Sequence, residues 1–213
     1  MEFRPPVELS GRYVRLVPLQ LSHTAGLARA ADDPEIWRYI HYGPCRTLET
    51  MSQLVSTLLQ RQATGSDLPF TVESLPSGTP IGMTRFLGIE RKDASVEVGG
   101  TWYVAGARRT PVNTESKRLL LGHAFDVEGA HRVQLRTDLR NDRSQRAIER
   151  LGATREGVLR EHIRMPDGYL RSSVVYSILA DEWPAVRARL DAFLQWPWTG
   201  AIPDPGRSVG ASA

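Results

Sequence analysis

Residues 108–114, Arg-Arg-Thr-Pro-Val-Asn-Thr, set two guanidinium groups, a proline and short polar side chains directly ahead of an amphipathic stretch that runs to Phe125. Such a run could hold an anion. The unpaired amides and partial positive charge of a helix N-terminus attract phosphate. Pro111 at the first helical position gives up only a donor that the helix leaves unpaired, so the amides of Val112, Asn113 and Thr114 stay free. The same residues would also suit a plain surface helix capped by Thr110, and the loop alone does not separate the two readings.

Other residues could do chemistry of a different kind. Asn141 and Ser144 fall at the N-cap and third position of a second helix. Glu161 shares one side of a strand with Leu159, Ile163 and Met165. A carboxylate on an apolar side is costly unless paired, and burial is what turns such a group into a useful base. Gly99 and Gly100, inside a strand pattern, mark a bulge or a close backbone approach. Of the five histidines, none has metal-ligand spacing, and His123 and His131 read as helix-surface and turn residues. The single cysteine, Cys45, allows no internal disulfide and no cysteine-based zinc site.

These residues need a scaffold, and the alternation of apolar and polar residues supplies one. Residues 11–19 read as a strand near an edge. Residues 21–40 have helical spacing after a Ser22 cap. A second helix begins at Thr47 or Glu49 with Met51, Leu54, Val55, Leu58 and Leu59 in one stripe. Strands follow at 70–75, 79–90 and 95–104 as an antiparallel meander. The helix after Pro111 buries Leu120, Leu121, Ala124 and Phe125. A strand at 132–138 leads to a helix from Asn141 to Gly152, with Ala147, Ile148 and Leu151 inward. Strands at 156–165 and 170–179 flank a Pro-Asp-Gly turn, and Pro184 opens a last helix over 181–194. The order is β-α-α-β-β-β-α-β-α-β-β-α, a mixed α/β domain over 1–195. A Pro/Gly/Ser-rich tail, 196–213, is expected to be disordered. In or near it, Trp196 and Trp198 either form a contact surface, as in a homodimer, or pack on the domain.

Composition narrows the class. The chain has 213 residues, 41% hydrophobic and 24% charged, enough for a sizeable core. No apolar run approaches the ~18 residues of a membrane span, and a cytoplasmic protein is expected. Lysine occurs only at 92 and 117, so 25 of the 27 basic residues are arginine. The net charge of +3 is too small and too scattered to require nucleic acid as a partner.

The block Asn141-x-x-Ser144-x-x-Ala147-Ile148-x-x-Leu151-Gly152-Ala153, followed by Glu156-Gly157-Val158-Leu159-Arg160 and later by Glu182-Trp183-Pro184, resembles the GNAT acetyltransferase superfamily. Within it the likeness is to the RimJ/RimL-like branch, over nearly everything but the tail. The resemblance implies a single domain with a mostly antiparallel, centrally splayed sheet flanked by helices. It implies acetyl-CoA as acetyl donor, no metal, and an amine acceptor, either a protein N-terminal α-amino group or a small amine. The backbone of Trp102, Tyr103 and Val104 would then bond the pantetheine and polarise the thioester carbonyl. Arg108, Arg109, Thr110, Val112, Asn113, Thr114 and Asn141 would hold the rest of the cofactor, and Ser144 would protonate the leaving thiolate. Trp37, His41 and Tyr42 fall where the fold builds its acceptor pocket.

Two departures from the family pattern stand out. Pro111 and Asn113 occupy the places of two small residues in the phosphate loop, so Arg108 and Arg109 would supply what the glycine cradle does not. Ile163 stands where RimL-like enzymes carry a catalytic glutamate, which leaves Glu161 and Glu97 as candidate bases. They also keep a second reading open, a catalytically inactive acyl-CoA-binding module. A third reading, a basic nucleic-acid-binding protein, rests on the arginine count alone.

Overall fold

The computed structural model describes residues 7–200 and 202. Eight strands form one sheet in the order β1-β2-β3-β4-β5-β6-β8-β7. The strands are β1 (Leu9–Ser10), β2 (Val14–Pro18), β3 (Asp67–Ser74), β4 (Pro80–Glu90), β5 (Ser95–Tyr103), β6 (Arg132–Asp138), β7 (Thr154–Arg164) and β8 (Leu170–Leu179). Every neighbouring pair is antiparallel except β5 and β6. The expected meander is β3-β4-β5, and the two-residue β1 takes the edge beside β2.

Five helices pack on this sheet: α1 (Thr24–Ala30), α2 (Leu48–Ala63), α3 (Val112–Gly122), α4 (Asp142–Leu151) and α5 (Trp183–Gln195). α1 and α2 contact each other and strands β3 and β4, while α3 and α4 both contact α5. Local chemistry fixes their ends. Thr47 and Thr50 cap α2 reciprocally, and Met51, Leu54, Val55 and Leu58 form its buried stripe. Asn141 caps α4, and Gly152 ends it at φ 102°, a left-handed turn that favours glycine.

Two expectations give way. The helix over 21–40 is instead a 3-10 turn, the seven-residue α1 and a second 3-10 turn at Pro34–Ile36. Pro34 cannot continue a helix from α1, and Asp33 caps the new turn by accepting the Glu35 amide at 2.9 Å. Ser22 does not cap; Gln20 and His23 do so reciprocally. His123 is not a surface residue. α3 passes into a π-turn at His123–Val127, which turns the imidazole inward against Phe86. His131 is exposed as expected.

A buried carboxylate ties the N-terminal strands to α3. Glu115 accepts the backbone amides of Arg12, Tyr13 and Val14 at 2.8, 2.7 and 2.8 Å. Gly11 passes so close that a side chain there would overlap the carboxylate.

Candidate active site

β5 and β6 stay paired for three rungs only, Ser95–Arg132, Val96–Val133 and Glu97–Gln134. Past Glu97 they part. The gap opens into a cavity of about 940 Å3, walled by residues 98–103 on one strand and 135–137 on the other. A bulge shapes the β5 wall: the register with β4 shifts between Met83 and Arg85, opposite Trp102 and Gly99. Gly100 takes φ 57° there, a conformation few other residues adopt. Trp102 lines the cavity, and its buried indole N–H has no hydrogen-bond partner among the described residues.

At one end of the cavity stands the first turn of α3, with Arg109, Thr110 and Asn113 in the wall. Pro111 has φ −62° and ψ −16°, so its place calls for helical backbone and not for glycine. The left-handed bend falls on Arg109 instead, at φ 62°. The Thr110 hydroxyl donates to the Ala107 carbonyl at 2.8 Å and accepts the Val112 amide at 3.3 Å. Val112 is therefore partly satisfied, whereas the amides of Asn113 and Thr114 have no acceptor among the described residues. The side chains of Val112 and Thr114 are buried, and Arg150 donates to the Thr114 hydroxyl at 3.0 Å. Arg108 also lines the cavity, but its guanidinium turns back to Asp33 at 2.7 Å.

α4 brings Asn141 and Ser144 to the same wall. The Asn141 side-chain carbonyl accepts the Ser144 amide at 3.1 Å and so caps the helix. Glu97 sits at the fork, where Arg136 pairs with it at 2.6 Å and Gln134 donates to it at 3.2 Å. Tyr103 lines the cavity, and burial raises its phenol above the ordinary range.

Three expected members stand elsewhere. Glu161 is exposed, off the cavity wall. Between Leu159 and Ile163 the β7 ladder carries extra residues opposite β8, and Glu161 lies in that irregularity at φ 46° with its amide on the Ser172 hydroxyl. The period of two that would have kept it beside Ile163 is broken. Ile163 itself lines the cavity. Trp37 is a core residue: it donates to the Ala31 carbonyl at 2.9 Å and packs on Trp102 at 5.7 Å. The Val104 amide is taken by the Ile81 carbonyl at 2.8 Å, so it is not free for pantetheine.

The cavity wall also gathers His41 and Tyr42 with Tyr39 and two residues not singled out from the sequence, Arg85 and Arg171. Burial and the charges of Arg171, Arg85, Arg61 and Arg136 push the His41 imidazole down to about 4. Lys117 was also missed. It is buried in the wall, donates to the Thr101 hydroxyl at 2.7 Å, and burial pushes it down to about 7. Its rarity among 25 arginines was the available signal. Among the described residues, no group of three or more His, Cys, Asp or Glu could hold a metal ion.

Residues 14–154 match the model of the acetyltransferase (GNAT) domain. The chain belongs to the GNAT acetyltransferase family. It is therefore an acyltransferase, and the family uses acetyl-CoA. A candidate acetyltransferase from T. thermophilus is 41% identical, with TM-score 0.82 over 90% of this chain and 99% of its own. A GCN5-related N-acetyltransferase from Brucella melitensis is 27% identical, with TM-score 0.84 over 91% and 87%. Mycobacterium smegmatis RimJ, solved with CoA-disulfide, shares the fold at 21% identity, with TM-score 0.75 over 89% and 94%. No curated protein matches the chain significantly. No helix among the described residues is long and apolar enough to cross a membrane.

The wall suits the family's donor. The parted strands offer backbone to an extended amide chain, the Trp102 indole offers an unpartnered buried donor, and the first turn of α3 offers free amides under a cationic loop.

Proposed function

We propose that this GNAT enzyme transfers an acetyl group from acetyl-CoA to a primary amine, of a small molecule or of a protein N-terminus, by direct attack on the thioester. The observation that carries the reading is the fork at Glu97. There the splayed strands, the α3 first turn and the acceptor loop all open into one cavity. Acetyl-CoA, when bound, supplies an activated acyl carbon.

The chain's own residues do the rest. Arg109 and the amides of Asn113 and Thr114 hold phosphate, with Thr110 shaping the turn and Asn141 donating from α4. The backbone of Trp102 and Tyr103, on the parted strand, binds the pantetheine amides and orients the carbonyl. An ammonium cannot attack, so a group in the wall must take its proton. Glu97 takes that part in this reading, supported by its position at the fork, where Arg136 and Gln134 hold it. Ser144, on the same wall, returns a proton to the departing thiolate. Calorimetric titration with acetyl-CoA tests the binding half, and free-thiol release across an amine panel tests the chemistry. No heat at ~1 mM donor, the weak end of ordinary substrate affinity, would overturn it. Binding without turnover on any amine would leave an acyl-CoA-binding module.

A further inference from the structure

We infer that the acceptor amine carries a carboxylate, which docks on Arg171 and Arg85 at the acceptor end of the cavity. The inference rests on the acetyl-transfer reading above and names the acceptor class for that site.

Arg171 lies on β8 and is 7% exposed, yet no carboxylate of the described residues comes within 4.0 Å of it. Its Nε donates to the Ser173 hydroxyl at 2.9 Å and one Nη to the Tyr39 carbonyl at 3.1 Å. Both partners are neutral, so the side chain is held firmly with no carboxylate of the described residues in contact with its charge. Asp138 and Glu97, which act on it from farther away, are themselves bonded by Arg140 at 3.0 Å and by Arg136 at 2.6 Å. A buried cation is costly unless an anion meets it, and this one lines the cavity.

Its neighbours strengthen the field. Arg85, 5% exposed, lines the same end below the Tyr42 ring, with its guanidinium carbon 5.7 Å from the ring centre. Its counter-ion among the described residues, Asp67, lies at 3.4 Å and is shared with Arg61 at 3.9 Å. Arg136 is balanced by Glu97. The depressed His41 agrees: the imidazole stays neutral beside these charges. A neutral amine next to a carboxylate fits such a site, and a polycationic acceptor does not. Arginine suits the task because its planar fork can grip a carboxylate at two points.

The test uses the full chain with acetyl-CoA and reads thiol release on matched triplets: an amino acid, its amide, and the amine lacking the carboxylate altogether. Free acidic and neutral amino acids form one arm, and short peptides beginning with aspartate or glutamate form the other, which separates the two sources of the same chemistry. The expected result is a loss of at least roughly tenfold in kcat/KM when the carboxylate is masked or removed, the fold-change of one charge-assisted bond. In Arg171→Gln the ratio between acid and amide should fall toward one while acetyl-CoA affinity holds. Because that buried variant can fail to fold, the comparison on the unaltered protein stands as the decisive arm. Equal rates for acid and amide, or a preference for cationic amines, would overturn the inference and leave acetyl transfer intact. Absence of thiol release from every amine would overturn both.

Discussion

Arg108 and Asp33 form an ion pair at 2.7 Å that joins the loop before α3 to the 3-10 turn leading toward His41 and Tyr42. The two arginines at the mouth therefore differ. Arg108 already has a counter-ion, and Arg109, bent into a left-handed conformation, has none among the described residues. Arg109→Ala should weaken CoA by roughly 10- to 150-fold, the worth of a charge-assisted phosphate contact of ~1.5–3 kcal/mol. Arg108→Ala should cost clearly less, and Asp33→Ala should make a subsequent Arg108→Ala cost more. Calorimetry with CoA against dephospho-CoA reads the difference; equal losses for the two single variants would contradict it.

Glu97→Gln should lower kcat by about 100- to 10,000-fold, the range for a removed proton acceptor, with little change in acetyl-CoA affinity. Glu161→Gln, on the exposed irregularity of β7, should leave both unchanged. Steady-state kinetics with a fixed amine distinguishes them. A strong loss in Glu161→Gln would return that residue to the mechanism.

The buried Lys117 gives a pH signature. Burial depresses its folded-state value to about 7 from the ordinary 10.5, so the unfolded chain binds more protons between those limits. Stability of the ligand-free protein should accordingly rise with pH across that window, by at most about 1.4 kcal/mol per unit from this group. Lys117→Met removes that slope and is most stabilising relative to the parent near or below pH 7. Denaturant melts at a series of pH values would reveal parallel curves if the lysine were not a buried charge.

Glu115→Gln should destabilise by about 1–3 kcal/mol, since an amide group cannot accept every one of the three backbone donors and leaves at least one buried or part-buried N–H unpaired. Gly11→Ala should act through the same carboxylate, because the new methyl displaces a side chain that three bonds hold in place. Thermal melts check both, and an unchanged midpoint for either would show that the contact is slack.

The fold was legible because its signals are local: alternation in β6, the stripe of α2, the cap and stop of α4. The Gly99–Gly100 pair foretold the bulge for the same reason. The site was harder. Glu161 was misplaced because a bulge, set by pairing with β8, breaks the period that its neighbours suggest. Trp37 and Trp102 are both aromatic residues near the cavity, and only packing decides which of them faces it. Lys117 and Arg171 were not singled out, since burial of a cation leaves no periodic mark. The pairing of Arg108 with Asp33 spans 75 positions and has no local trace. For the tail, Trp198 packs against the core while Trp196 is 79% exposed; residues 201 and 203–213 fall outside the described residues.

The three rungs between β5 and β6 make the sheet two plates, β1–β5 and β6–β8, sharing a short seam. Whatever lies along the parted strands touches both plates and works as a rivet. Loading the cavity should then slow amide exchange in β7 and β8, strands well removed from any phosphate, because closing the seam lets the smaller plate borrow the cohesion of the larger one.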